Sequence, residues 1–365
     1  MKKLFLLPLF ALFLLAGCGG DGLADTIRIG YVGPLTGDGA SIGEMSSQTL
    51  TDFVEIHPEW AGKKVEVFLE DGKCSGQDAA SAATKLINTN KVHVIISGGC
   101  SGEGLAIVPI AEKAKVLVLS PTNTSPELTG ISPYFFRNAP SDVLGGQEMA
   151  KAAANQGFEK VAVITENTDF ATAYSDQFKS IYSGEIVLEE NYNPDATDYK
   201  TILQKVKVSD AQAIVHFNQT PVSAGFVAKQ KKELGITLPT FSADATDGDD
   251  FYKTAQDAAE GQMLVVTSVN HGDDRVRDRS AAYVAKHGSI SFEVYHLLEW
   301  DLLGILQQAM EAVGTDADAL SAYLGSMSAY DGLSGDIAFD ENGDSTIKPS
   351  LQVVRDGKLT PFIAQ

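Results

Sequence analysis

The chain has 365 residues, and its 48 acidic side chains outnumber 28 lysines and arginines, for a net charge of −20 at neutral pH. A surface this acidic repels phosphate backbones and argues against a nucleic-acid partner. The length exceeds what one hydrophobic core usually serves, so two domains are expected.

At the N-terminus, Lys2 and Lys3 precede an apolar run, Leu4 to Leu15, and then L-A-G-C. That is the pattern of an export signal, and the run is too short for a bilayer, which takes about 20 residues. The L-A-G-C stretch resembles the lipobox of bacterial lipoproteins; the alternative is an ordinary signal peptide that happens to hold a cysteine. The resemblance implies a signal peptide over 1–17, lipidation of Cys18 and a glycine-rich tether over 18–25. The product would lie outside the cytoplasmic membrane, in the periplasm or at the cell surface, anchored through Cys18 and monomeric.

Short β-branched runs then alternate with amphipathic stretches. Strands are expected at Ile27–Val32, Val65–Glu70, Val92–Ile96 and Val116–Leu119, with helices near 41–57, 75–90 and 101–113. Tyr134–Arg137 leads out of this series, and Asp142 is expected to cap a helix over 143–156. A second series follows, with strands at Val161–Thr165, Glu185–Leu188, Ala213–Phe217, Thr240–Ser242 and Met263–Thr267. Its helices fall near 170–182, 198–208, 221–235 and 249–258. Two such series predict an α/β protein of two doubly wound parallel-sheet lobes. One long helical region over 273–313 comes next, then closing strands with tight D-E-N-G and R-D-G-K turns. The expected lobes are 26–138 with 268–332, and 139–267 with 333–365. The chain then crosses near 138–140, 263–268 and 332–336, which makes a three-strand hinge.

The chemistry-bearing residues gather in the turns. Cys74 and Cys100 each follow a strand, and in an oxidising compartment they suggest one disulfide, free thiols being the alternative. Adjacent parallel strands would bring them together, and no C-x-x-C supports a redox role. Gly37, Gly39 and Gly43 after the first strand, with Glu70-Asp71 ending the next, loosely suggest a dinucleotide loop, but the G-x-G-x-x-x-G spacing is wrong. No histidine pair has zinc spacing, and D-E-N-G-D at 340–344 has its glycine misplaced for a calcium loop. Neither cofactor nor metal is expected. Ser101 in S-G-G-C-S-G-E-G lacks the G-x-S-x-G elbow of a hydrolase. It does sit where a strand ends and a helix begins, so unpaired N–H groups and the helix dipole there favour an anion. S-P-T-N-T-S-P-E-L, residues 120–128, is a second polar turn one strand on, with Thr124 offering hydroxyl and N–H. The structural alternative for Ser101 and Thr124 alike is a helix cap or turn with no ligand.

I-R-I-G-Y-V-G-P-L-T-G, D-G-K-C-S-G-Q-D-A-A, S-G-G-C-S, S-P-T-N-T-S-P-E-L, F-F-R-N-A-P-S-D and D-A-A-E-G-Q occur in order along nearly the whole chain. Together they resemble the branched-chain amino-acid-binding proteins of ABC importers, which are type I periplasmic binding proteins. The resemblance implies two lobes closing on an amino acid, a Cys74–Cys100 disulfide and no catalysis. It implies that Ser101 binds the ligand carboxylate, that Asn123 (through its carbonyl) and Thr124 bind its backbone, and that Asp244 binds its ammonium. Asp244 could instead cap the next helix, a task open to Asp247 or Asp249. Ile42, Phe170, Asn218 and Gln219 match positions that face the ligand side chain. Here the chain departs from the family: Ile42 replaces a frequent aromatic, and Phe170 a tyrosine. Leucine-like specificity is therefore open, since relatives also bind amides, urea or aromatic acids. The implied partners are an ABC permease and its ATPase subunits; a ligand-sensing lipoprotein or, in another class, an exported hydrolase using Ser101 are the alternatives.

Overall fold

The computed structural model describes residues 26–37 and 39–362. The proposed signal, Cys18 and the tether lie outside the described residues. Two sheets organise the chain. In the first, the spatial order is β2 (Glu59–Trp60), β3 (Lys63–Asp71), β1 (Thr26–Gly33), β4 (Val94–Ser97), β5 (Leu117–Ser120) and β6 (Phe135–Arg137). All pairs are parallel except β2 with β3. In the second, β8 (Glu185–Tyr192), β7 (Lys160–Glu166), β9 (Ala213–Phe217), β10 (Thr240–Ala243) and β11 (Met263–Thr267) run parallel. Two antiparallel strands, β14 (Pro349–Arg355) and β15 (Lys358–Pro361), extend its other edge. A two-stranded ribbon joins β12 (Tyr330–Gly332) to β13 (Gly335–Ile337).

Helices cover both faces of each sheet, which is why the central strands read as unbroken apolar runs. On β4, Val94 and Ile96 enter a core shared with α1 (Ala40–Ile56) and α10 (Glu293–Val313). Ile95 enters the opposite core, with α2 (Gly76–Lys85) and α3 (Ser101–Ala114). The second sheet repeats the arrangement: Val215 faces a core with α4 (Asp142–Asn155) and α5 (Asp169–Ile181). Ile214 faces α6 (Lys200–Val208) and α7 (Pro221–Glu233), and Leu264 faces α7 and α8 (Asp249–Ala255). Among the described residues no helix is long and apolar enough to cross a membrane.

Several expectations are corrected. The helical region 273–313 is two helices, α9 (Asp274–His287) and α10, separated at Gly288, whose φ of 89° a non-glycine residue rarely adopts. Asp142 is the first residue of α4, and Ser141 caps it, accepting from the Val143 N–H. The boundary expected at 332/333 lies too early. Ile337, Phe339 and Ile347 are buried in the first lobe's core beside α11 (Ala317–Leu324), so the chain leaves that lobe only just before β14. Apolar burial outweighed strand pattern there: the strands at 330–337 form a small ribbon of their own rather than joining the second sheet.

The three connections between the lobes therefore follow β6, β11 and Ile347. Arg137, fully buried at the end of β6, ties two of their roots together. Its Nε and Nη2 donate to the Asp344 carboxylate at 2.6 and 3.0 Å, and its Nη1 donates to the carbonyls of Asn123 and Ser125 at 3.1 and 2.7 Å. Asp344 belongs to the D-E-N-G-D turn, so that turn serves an arginine. Removing one partner of a buried pair leaves an uncompensated charge, at a cost of about 3–5 kcal/mol. Arg137→Met is predicted to lower stability by about that amount in urea unfolding; a loss well under 1 kcal/mol would contradict this role.

Candidate functional site

In the first sheet β3 and β4 flank β1 on opposite sides, and in the second β8 and β9 flank β7. Such sheets part their loops at the reversal point, outside the carboxyl ends of the strands. Here the reversal points, β1/β4 and β7/β9, face one another. A narrow cleft lies between them. Its lining comes from the segments that follow those strands: Ser41 and Ile42 after β1, Cys100 and Ser101 after β4, Phe170 after β7, and Gln219 to Pro221 after β9. Thr122, Ala245, Phe292 and Tyr295 complete it.

Ser101 opens α3, with Cys100 as the capping residue. Its Oγ accepts from the Ser125 N–H at 3.2 Å, which links the two polar turns and leaves the hydroxyl proton free to donate. Behind it, Glu103 is fully buried, and its carboxylate accepts from the N–H groups of Cys100 (2.8 Å) and Cys74 (3.1 Å). Cys74 and Cys100 form a disulfide with Cα atoms 5.2 Å apart. Their strands are not neighbours as expected: β1 lies between β3 and β4, and the bridge passes over its end. Asp71, at the end of β3, accepts from the Leu35 N–H (2.9 Å) and the Thr36 hydroxyl (2.5 Å), so this acid of the dinucleotide reading instead holds the loop after β1.

Thr124 is buried, and its hydroxyl has no hydrogen-bond partner of good geometry, although it lies close enough to Asp142 to favour that carboxylate's charge. Asn123 is fully buried. Its side chain accepts from Ser97 Oγ (2.6 Å) and donates to the Gly99 carbonyl (3.0 Å), while its own carbonyl accepts from Arg137. Asn218 is turned away: it is buried, donates to the Thr220 carbonyl (3.0 Å) and accepts from the Thr246 hydroxyl (2.8 Å). Gln219 does line the cleft. Its N–H donates to Glu166 at 2.8 Å, and Glu166 also accepts from Ser223 (3.0 Å) and Tyr192 (3.1 Å). Burial pushes the Glu166 carboxyl up and holds His216, 2.8 Å from the Tyr192 hydroxyl, neutral with its pKa at about 3. This network fixes the loop that carries Gln219.

Asp244 follows β10 directly. Its Oδ1 accepts from the Ala245 N–H at 3.0 Å, and its Oδ2 from the Tyr295 hydroxyl at 2.5 Å. Tyr295 comes from α10 of the other lobe, and Phe292, which caps that helix, packs so close to Gly248 that a Cβ there would find no room. Asp244 faces a recess next to the main cleft, the two sharing Phe292 and Tyr295. It also shares a hinge-side recess with Asp142 and Tyr174. Burial raises both carboxyls; Asp142 is raised well above the usual range, the nearby Asp244 charge adding to the effect. Burial and these acids also keep the Tyr174 and Tyr295 hydroxyls neutral. Sequence reasoning missed Asp142, Tyr174, Phe292 and Tyr295. Only the first had a local signal, an Asp at a helix start, and that signal points to capping.

Ser101 has no base. All six histidines make contacts elsewhere, on Phe53, the Arg28 N–H, Tyr192, Glu293, Asp52 and Thr49. The fold and the cleft thus define a binding protein whose two hinged lobes enclose a small solute. The chain belongs to the periplasmic binding protein family, whose sequence model matches residues 26–355. A leucine-, isoleucine-, valine-, threonine- and alanine-binding protein of Pseudomonas aeruginosa is 24 % identical over 92 % of each chain. A branched-chain amino acid transporter substrate-binding protein of Streptococcus pneumoniae, solved with isoleucine, is 26 % identical with a TM-score of 0.83, covering 92 % of this chain and 97 % of that one. An ABC transporter solute-binding protein of Rhodopseudomonas palustris, solved with 3,4-dihydroxybenzoic acid, is 26 % identical with a TM-score of 0.81, covering 92 % and 95 %. These relatives are binding proteins, and the chain is a solute-binding protein rather than an enzyme.

Burial pushes the Glu103 carboxyl up to about 7, even though the Cys100 and Cys74 N–H groups favour its charge. A carboxyl raised on folding stabilises fully below its unfolded pKa of about 4.5, and that contribution is lost as pH rises through about 7. Glu103→Gln removes the dependence. The stability difference between wild type and variant is predicted to move toward the variant by up to about 3 kcal/mol between pH 5 and pH 8. Denaturant unfolding at several pH values measures it, and a constant difference would contradict the assignment.

Proposed function

We propose that the chain is an extracytoplasmic receptor that closes on a small α-amino acid, branched-chain or of similar size, and delivers it to an ABC permease and its ATPases. In this reading Cys18 carries the lipid anchor and the protein works as a monomer. One observation carries the ligand class: anion-favouring groups at the start of α3 line the cleft, and a half-buried carboxylate after β10 faces the recess beside it, the two spaces sharing Phe292 and Tyr295. Ser101 and the α3 N-terminus take the ligand carboxylate. Thr124 bonds the backbone of the ligand, and Asp244 takes its ammonium, which could not leave water without an opposite charge. Ile42, Phe170 and Phe292 surround the side chain, with the Gln219 amide at its edge.

The relatives support this class, since two of the three bind branched-chain amino acids by their names. An aromatic acid, bound by the third, suits the same apolar walls but would leave Asp244 and Asp142 with no cation. Closure is the mechanism: contacts from both lobes exist together only in the shut form, so ligand shifts the balance toward it.

Titration calorimetry against amino acids, their amides and benzoates tests the reading. Binding of an amino acid without turnover is expected. Ser101→Ala should weaken it about 10- to 100-fold, the worth of a hydrogen bond to a charged group. Asp244→Ala should remove measurable binding, because the ammonium would be buried unpaired. Hydrolysis of esters or amides that vanishes in Ser101→Ala would overturn the proposal in favour of an enzyme.

A further inference from the structure

Because Ser141 caps α4, the Asp142 side chain turns inward instead of toward backbone donors. It is 3 % exposed, and its Oδ2 has no hydrogen-bond partner. Beside it stands the Thr124 hydroxyl, equally buried and unpartnered. Asp244 and the Tyr174 ring enter the same recess, and Gly145, one turn into α4, has no Cβ where the Tyr174 hydroxyl passes.

Few charges balance these two acids. Arg137 on β6 favours the Asp142 anion, but its donors are committed to Asp344, Thr129 and two carbonyls. Tyr174 from α5 and Tyr295 from α10 are neutral. Asp247, past β10, adds a further acid, itself raised to about 6 chiefly by burial. On the β11 side the wall is Val265, Val266, Thr267 and Pro349, with no charge. Two neighbouring carboxylates, one of them fully buried, disfavour each other's charge unless a proton or a cation stands between them.

We propose that Asp142 is a ligand-binding residue, and that Asp142 and Asp244 hold one proton between them until the ligand's ammonium group replaces it. The inference rests on the amino-acid reading above. The ligand arrives as a zwitterion and the proton leaves to solvent. The recess carries a net charge of about −1 before and after, because one cation has replaced another. An ammonium brings three donors, and the recess offers Asp142 Oδ2, the Thr124 hydroxyl and Asp244 as acceptors. Proton exchange of this kind makes affinity rise about tenfold per pH unit until the free pair loses its proton unaided.

Calorimetric titration of the whole protein with leucine, isoleucine and valine, in phosphate and in Tris between pH 6 and pH 8, reads the proton count directly. The expected result is release of about one proton per amino acid bound at the lower pH values, shrinking as pH rises. Asp142→Asn should bind more weakly and release almost none at pH 7. Binding with no difference between buffers overturns the proposal, and so does an Asp142→Asn variant that releases as much as wild type. The wild-type series decides the question even if the variant does not fold. Binding of benzoate with no amino acid would remove the reading beneath the proposal, a failure distinct from amino-acid binding without proton release.

Discussion

Asp142 and Asp244 share a recess at the hinge with no free cation among the described residues lining it. Charge in such a place must be matched within a few ångströms or removed by a proton. Much of the architecture serves to keep that place well defined. Asp244 is held at the end of a buried strand, and its outer oxygen is engaged by a tyrosine from the opposite lobe. Asp142 sits in the first turn after the first crossing, so the hinge and the recess share backbone.

The opposite end of the cleft is built by a different device. Ser101 stands on the first turn of a helix whose N-terminus is pinned by a buried glutamate and a disulfide. The turn after β5 is held by Arg137, which is held in turn by Asp344, some two hundred residues further along the chain. The polar groups on this lobe are therefore preorganised before any ligand arrives, and less ordering entropy opposes binding. The second lobe fixes its own loop through Glu166, Tyr192 and His216. Each lobe thus holds its own side of the cleft through hydrogen bonds within that lobe.

Much of this was legible in the residue order. Alternating apolar runs and amphipathic stretches mark the parallel strands and their helices, because a strand buried on both faces has few polar positions to hide. Ser101, Thr124 and Asp244 announce themselves by standing just past strand ends. Asn123 and Asn218 carry the same local signal, yet the fold spends their amides on neighbouring loops. Whether an amide in a turn meets a ligand or a carbonyl depends on which other loop arrives beside it. The late lobe boundary was missed for a related reason: Ile337, Phe339 and Ile347 look like strand residues, and their pattern does not say which of two cores they enter.

The amino-acid sequence by itself determined the two α/β lobes, the polar turns at the strand ends and the cysteine pair, since these follow from local period, turn chemistry and composition. Only the tertiary structure decided that Asp142 faces Asp244 beneath Thr124, that Tyr295 and Phe292 reach across from the other lobe, and that Arg137 finds Asp344. Those pairings join residues separated by tens to hundreds of positions. Their energy comes from shared burial, which no single segment carries in its own pattern.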